Sequence, residues 1–131
     1  MRKISTIVKK YPITTVLIIV IWVICIIPIP ETPLHHVSMM DKWTHIAMYF
    51  VLSLVIAWEG GIFRWKSRKM SRVILYIWLL PSLMGGVLEL VQAYCTGGTR
   101  SGDWLDFLAD VIGSTIAALI CILPVRCRAR D

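Results

Sequence analysis

The sequence predicts an all-α protein: a single four-helix transmembrane bundle with both termini in the cytoplasm. Two observations predict it. Of the 131 residues, 57% are hydrophobic, more than in an average soluble domain, and the apolar residues fall into four segments. Each segment has about the 20 residues that a helix needs to cross a hydrocarbon core of about 30 Å. We therefore expect one domain over residues 1–131, with spans at about 11–29, 43–62, 73–94 and 104–125.

The basic residues are placed asymmetrically around these spans. The net charge is +6, and all but two of the 14 Lys and Arg lie before the first span, between the second and third, or after the fourth. Lys42 and Arg100 occupy the two remaining loops. This is the positive-inside pattern, so the basic clusters are expected to face the cytoplasm as topological anchors of a multi-pass protein. We expect no nucleic-acid partner, because the charge is explained by topology.

Local signals predict how the first three helices begin, end or bend. A basic start before an apolar segment is typical of a signal peptide, but no small-x-small cleavage site follows, so we expect an uncleaved first helix. Asp41 is predicted to cap the second helix, and Glu59 at its other end to form a surface ion pair with the basic loop. Pro81, near the middle of the third helix, predicts a kink.

One face of the fourth helix carries Asp103, Asp106, Asp110, Gly113 and Ala117, which follow each other by three or four residues. A central acid costs roughly 2.5–3.5 kcal/mol to insert in a membrane, so these carboxylates are expected to face protein or a wet cavity. Capping explains Asp103 and Asp106 equally well. Asp110 lies roughly 10 Å beyond Asp103 along the axis, past the reach of the helix dipole, which indicates pairing or function. Gly113 and Ala117 also offer a small-xxx-small surface for dimerisation, and the oligomeric state stays open.

Polar side chains from three helices are predicted to meet at the external end of the bundle. The second and fourth helices contribute through their N-terminal ends and the third through its C-terminal end, so antiparallel packing places them at one depth. The predicted site consists of Asp41, His45, Glu89, Gln92, Arg100, Asp103, Asp106 and Asp110. Simpler explanations stand beside it: a helix cap for Asp41, a packing histidine for His45, and a plain loop charge for Arg100, which is otherwise suited to bind a phosphate or carboxylate.

The pattern of these residues also carries a family resemblance. It reads Asp41-Lys42-Trp43-Thr44-His45 leading into Tyr49-Phe50, then Glu89-x-x-Gln92, then Arg100-x-x-Asp103-x-x-Asp106-x-x-x-Asp110-x-x-Gly113. From Asp41 to about Ala118 the chain resembles the VanZ-like membrane protein family, whose members commonly carry Asn where this chain has Asp110. The resemblance implies a bacterial inner (cytoplasmic) membrane protein with a role in the cell envelope. The family takes its name from a protein linked to resistance against teicoplanin, a lipid-tailed glycopeptide antibiotic; no reaction is implied.

Three hypotheses for the function follow. In the first, an outward-facing pocket binds an amphiphile, either a membrane lipid head group or a lipid-tailed glycopeptide, with Arg100 on its anionic group. In the second, the chain is an enzyme acting on a lipid phosphate or ester, with Asp110 or Glu89 as acid and His45 as base. In the third, the polar groups only lock the helices together. In the second hypothesis metal-assisted chemistry is an alternative, because the acids and His45 could bind a divalent metal; the sequence lacks a dedicated ligand motif, so no metal ligand and no cofactor are assigned.

Overall fold

The computed structural model describes residues 2–27, 39–62, 70–98 and 102–128, and side chains between residues 4 and 123 of those ranges. The secondary structure of these residues is helical, as the sequence predicts. The helices, in chain order, are α1 (Arg2–Lys10), α2 (Pro12–Ile26), α3 (Met40–Glu59), α4 (Met70–Cys95) and α5 (Trp104–Arg128).

Length and composition mark two or three of the described helices as able to cross a membrane. They are α4, the Trp104–Leu123 part of α5, and, if taken together, α1 and α2. The helix α3 has 20 residues but is not one of these helices. Polar residues near both of its ends lower its mean hydropathy. The chain is therefore a membrane protein by these criteria. The span predicted at about 43–62, which corresponds to α3, and the cytoplasmic termini stay predictions.

A sharp bend separates α1 from the first predicted span. The axes of α1 and α2 differ by 100°, and Pro12 stands at the first position of α2. Proline has no backbone N–H, so it is well suited to start a new helix and cannot continue the hydrogen bonds of α1. The exposed side chains of α1 include Ile4, Ile7 and Val8, so α1 carries apolar surface of its own.

Pro81 is accommodated by a π-helical segment within α4. This segment, Ile74–Leu79, lies between the α-helical stretches Met70–Val73 and Leu80–Cys95. At its end the N–H of Leu80 donates to the carbonyl of Leu75, five residues back. Such segments are a recognised cause of helix bending, so the disturbance predicted at the proline lies in the turns before it.

The starts of α3 and α5 differ in their capping. The prediction that Asp41 caps α3 is wrong: Met39 is the N-cap residue, with a left-handed φ of 72° and no side-chain capping bond. Asp41 lies exposed in the first turn instead, where its charge favours the helix dipole. At α5, Oδ1 of Asp103 accepts the N–H of Leu105 at 2.9 Å, which is the capping predicted there.

Of the helix pairs, α3 and α5 make the most extensive contact. The two helices run parallel, since their N-terminal ends contact each other and their C-terminal ends share an apolar cluster. Gly113 permits this approach, since a Cβ at that position would meet the backbone oxygen of Ile46 and the backbone nitrogen of Phe50. Ala117, one turn further along α5, is fully buried. The small-residue surface considered for dimerisation is therefore used inside the chain.

Apolar clusters and two polar contacts hold the remaining helices against this pair. A cluster where α3 and α5 end contains Ala57, Ile62, Val73, Ile77, Ala117, Ala118 and Cys121. A second joins α2 to α3 and α4 through Ile21, Cys25, Tyr49, Leu52 and Leu88. The carboxylate of Glu59 accepts the N–H groups of Ile13 and Thr14, both at 2.9 Å. Glu59 therefore satisfies the start of α2, whereas residues 63–69 of the basic loop, with which an ion pair was predicted, lie outside the described residues.

Candidate functional site

A buried histidine–aspartate pair lies between α3 and α5. Nδ1 of His45 and Oδ1 of Asp110 are 2.8 Å apart, and the two side chains are 5% and 0% exposed. Both residues sit one to two turns inside their helices, which the close contact at Gly113 brings together. A short hydrogen bond between an imidazole and a carboxylate fixes the orientation of the ring. The pairing that the sequence indicated for Asp110 is thus with His45.

Glu89 approaches this pair from α4. Its Oε2 accepts the backbone N–H of Asp103 at 2.8 Å, which ties α4 to the start of α5. Its other oxygen, Oε1, is buried and has no hydrogen-bond partner among the described residues, and the same is true of Oδ2 of Asp110. Gly85, one turn before Glu89, leaves the space that Asp110 occupies, since a Cβ on Gly85 would overlap with Oδ2 of Asp110.

Lys42 closes the site at the end where α3 and α5 begin. Its ammonium group lies 3.0 Å from Oδ2 of Asp103 and 3.2 Å from Oδ1 of Asp106. The Leu105 N–H and then Lys42 hold the pKa of Asp103 below its usual value. Sequence reasoning treated Lys42 only as a loop charge. Its spacing of three residues from His45, which places both on one helical face, was the available signal.

The structure brings most of the predicted site residues that it describes together and separates one of them from the rest. Two groups of three side chains, each with candidate ligand atoms within 4.8 Å of one another, share His45. One group is His45, Glu89 and Asp110, all buried; the other is Asp41, His45 and Asp106, in which Asp41 is exposed. Gln92 lies apart, because its Nε2 donates to the carbonyl of Cys25 at 2.7 Å and so fixes α2. Arg100 lies outside the described residues.

Buried hydroxyl groups that the sequence analysis did not assign to the site continue it into the bundle. Tyr49 and Ser53 follow His45 at four-residue intervals on α3, and Ser114 follows Asp110 by four on α5. The three hydroxyl oxygens are buried and have no hydrogen-bond partner in the described part of the chain. Buried polar groups are usually paired, so these three hydroxyl groups are available to form further hydrogen bonds. The four-residue spacing was the signal that could have found it.

An apolar groove between α4 and α5 reaches the site from the side. Its volume is about 540 Å³, within the usual range of small-molecule sites. The lining side chains are mostly apolar, among them Leu83, Val87, Leu90 and Phe107, while Glu89 supplies a carboxylate in the wall. The groove therefore places an apolar surface next to Glu89, an acidic residue of the polar site.

Comparisons with protein-family models, with curated proteins and with solved structures each found no match for this chain.

Proposed function

We propose that this chain is an integral protein of the bacterial cytoplasmic membrane that binds an amphiphile in the groove between α4 and α5. The amphiphile is a membrane lipid or a lipid-tailed glycopeptide, in line with the resemblance to the VanZ-like family. In this proposal α3 also crosses the membrane, as the second of four spans, both termini are cytoplasmic, and the polar site faces outward. A role in the cell envelope and in resistance to teicoplanin follows from such binding.

The observation that carries the proposal is the shape and chemistry of the groove. Leu83, Val87, Leu90 and Phe107 offer an apolar wall for an acyl chain, and Glu89 stands where a head group would lie. Because Oε1 of Glu89 has no hydrogen-bond partner in the part of the chain that the structure describes, it is suited to accept a hydrogen bond from a hydroxyl or amine of the head group. Arg100, beyond the described residues, is the proposed contact for an anionic group.

Binding measurements in reconstituted bilayers test the proposal. Fluorescently labelled teicoplanin and a labelled anionic lipid are titrated into nanodiscs that contain the full chain. Val87→Trp fills the groove and is expected to weaken binding by at least about tenfold, about 1.4 kcal/mol. Val51→Trp is the matched control, because Val51 is similarly exposed on α3 and does not line the groove. Arg100→Ala is expected to weaken binding of both probes as well.

The results of these binding measurements, together with resistance and membrane abundance, distinguish a binding site from a role in packing. No binding of either probe, or equal binding by wild type, Val87→Trp and Arg100→Ala, contradicts the proposal. If His45→Gln and Asp110→Asn lower membrane abundance in step with teicoplanin resistance, the polar groups act in packing alone. Resistance lost at normal abundance supports a binding site.

A second candidate function is supported by the His45–Asp110 hydrogen bond. A carboxylate that orients an imidazole is a recurrent arrangement in general acid–base catalysis, and Glu89 lies beside it in the groove wall. We propose as the alternative an enzyme that hydrolyses a lipid phosphate or ester with His45 as the base. Purified protein would then turn over a polyprenyl phosphate or a glycerophospholipid, and Asp110→Asn would abolish this turnover. An inactive wild-type protein across a broad lipid panel contradicts the alternative.

A further inference from the structure

We propose that His45, Glu89 and Asp110 form a binding site for one divalent transition-metal ion of the Zn²⁺ type. The three residues come from α3, α4 and α5, and their candidate ligand atoms lie within 4.8 Å of one another. This proposal shares Glu89 with the proposed amphiphile site but does not rest on it, because Zn²⁺ titration without an amphiphile tests the metal site by itself.

Unused ligand atoms within the group are the second observation. Oε1 of Glu89 and Oδ2 of Asp110 are buried and have no hydrogen-bond partner among the described residues. Glu89 is 7% exposed and Asp110 is fully buried, so bulk water does not satisfy these oxygens. An unpaired buried carboxylate oxygen is costly, and coordination of a cation is one of the few ways to satisfy two of them at once.

The charges of the described residues also favour a bound cation at this group. Lys42 is already shared between Asp103 and Asp106. Among residues 39–62, 70–98 and 102–123, Glu89 and Asp110 therefore have His45 as their nearest partner that can be cationic, and a protonated imidazole neutralises one of the two. A divalent ion bound by two carboxylates and a neutral imidazole leaves no net charge, which is favourable where burial penalises charge.

The ligand atoms select the class of metal. One imidazole nitrogen with two carboxylate oxygens is a mixed set that suits Zn²⁺, whereas Mg²⁺ and Ca²⁺ prefer oxygen alone. Bonds to Zn²⁺ are about 2.0–2.2 Å and its geometry is tetrahedral, so two ligands on one ion are at most about 3.6 Å apart. Side-chain movements of less than about 1 Å bring a separation of 4.8 Å within that limit. Three protein ligands leave a position open for water or another ligand.

The second group that shares His45 is less suited to the same ion. Asp41 is exposed, and the ion pair with Lys42 already engages Oδ1 of Asp106. A metal there would have to displace an ammonium group. The geometry therefore assigns the ion to the buried group.

Metal titration of the purified full chain tests the assignment. The protein is treated with a chelator in detergent, and ZnCl₂ is titrated against a fluorescent Zn²⁺ indicator. We expect one equivalent of Zn²⁺ per chain and no displacement by equimolar MgCl₂. Glu89→Gln and Asp110→Asn are each expected to weaken Zn²⁺ binding by more than about tenfold, since loss of even a supporting group costs 10- to 100-fold. Asp103→Asn is the matched control and should change the affinity by less than about twofold, because its side chain pairs with Lys42 outside the group.

Two further variants exclude other sites. His35→Gln/His36→Gln removes the other histidines of the chain and should leave Zn²⁺ binding intact, whereas His45→Gln should abolish it. If Glu89→Gln or Asp110→Asn does not fold, Zn X-ray absorption of the wild-type protein decides: one histidine with oxygen ligands supports the site, and sulfur ligands overturn it. Absence of binding by the wild type overturns it too. So does equal affinity in Glu89→Gln, or a loss in Asp106→Asn that Glu89→Gln does not share.

Discussion

The interface between α3 and α5 has two halves that pack by different means. In the polar half, where both helices begin, the contacts include Lys42 with Asp106 and His45 with Asp110. In the apolar half, where both helices end, small and aliphatic side chains such as Ala57 and Ala117 form the core. Helices in a membrane associate well through small residues alone, whereas buried ionisable groups are expensive there. The packing of α3 against α5 therefore does not require the polar half, so we expect the function to depend on that half.

The largest effect on this comparison is expected from breaking the buried pair. Asp110→Ala leaves His45 buried without its partner, so we expect a loss of about 3–5 kcal/mol in the free energy of unfolding. Asp110→Asn keeps an acceptor for the imidazole N–H and should lose less than half as much. Unfolding by SDS from detergent micelles measures both. Equal losses in the two variants would show that hydrogen bonding to His45 contributes little.

The next effect concerns Gly113, where the two halves meet. Gly113→Val pushes a side chain against the backbone of Ile46 and Phe50 and is expected to cost about 1–3 kcal/mol through overpacking. Ala47→Val adds similar bulk on an exposed position of α3 and serves as the control, with a change below about 0.5 kcal/mol. The same unfolding assay applies. A tolerated Gly113→Val would mean that α3 and α5 can separate without loss of stability.

A smaller effect is expected at Glu59, the acid that lies at the apolar end. Glu59→Ala removes the acceptor of the Ile13 and Thr14 N–H groups, and we expect a loss of about 1 kcal/mol, as for other helix N-terminal contacts. Zn²⁺ binding should not change, since Glu59 lies at the other end of α3 from His45. Parallel unfolding and metal titrations check both statements, and altered Zn²⁺ binding would contradict the separation of the halves.

The smallest effect is expected at the rim of the polar half and depends on pH. Asp103 is 41% exposed, so Asp103→Ala should cost about 0.5–1 kcal/mol at pH 7, mainly from the lost cap. Folding lowers the pKa of Asp103, so this stabilisation is complete above the usual aspartate pKa of about 3.9. It disappears as the pH falls through the lower, folded-state pKa. The stability difference between wild type and variant should be constant from pH 7 to about pH 4.5 and shrink below that; a difference that grows with acid would reverse the sign assigned here.

Much of the fold followed from the sequence, because helix positions depend on local hydropathy. The predicted span at about 73–94 lies within α4, and the span at about 104–125 within α5. The bend between α1 and α2 and the π-helical segment did not follow, since apolar composition is the same in bent and straight helices. Asp41 failed as a cap because Met39 adopts the turn that precedes α3.

The site was predicted as a set of residues but not as a set of partners. Spacing along a helix indicates which side chains share a face, so the convergence of His45, Glu89 and Asp110 could be predicted from the sequence. Which of them pair depends on how far one helix is shifted along another, which single-helix periodicity does not determine. Lys42 was missed for that reason: its partners, Asp103 and Asp106, lie 61 and 64 residues away in the chain.

The π-helical segment of α4 sets the direction in which Glu89 points. Val73, Ile77, Pro81, Gly85 and Glu89 are buried at intervals of four residues. In an ideal α-helix each such interval rotates the side chain by about 40°, so four of them would place Glu89 about 160° from Val73. The wider turns of Ile74–Leu79 absorb part of this rotation. A helix with one residue fewer in that segment would turn Glu89 by about 100°, so an irregularity two to three turns away keeps its carboxylate directed at Asp110 and not at the lipid.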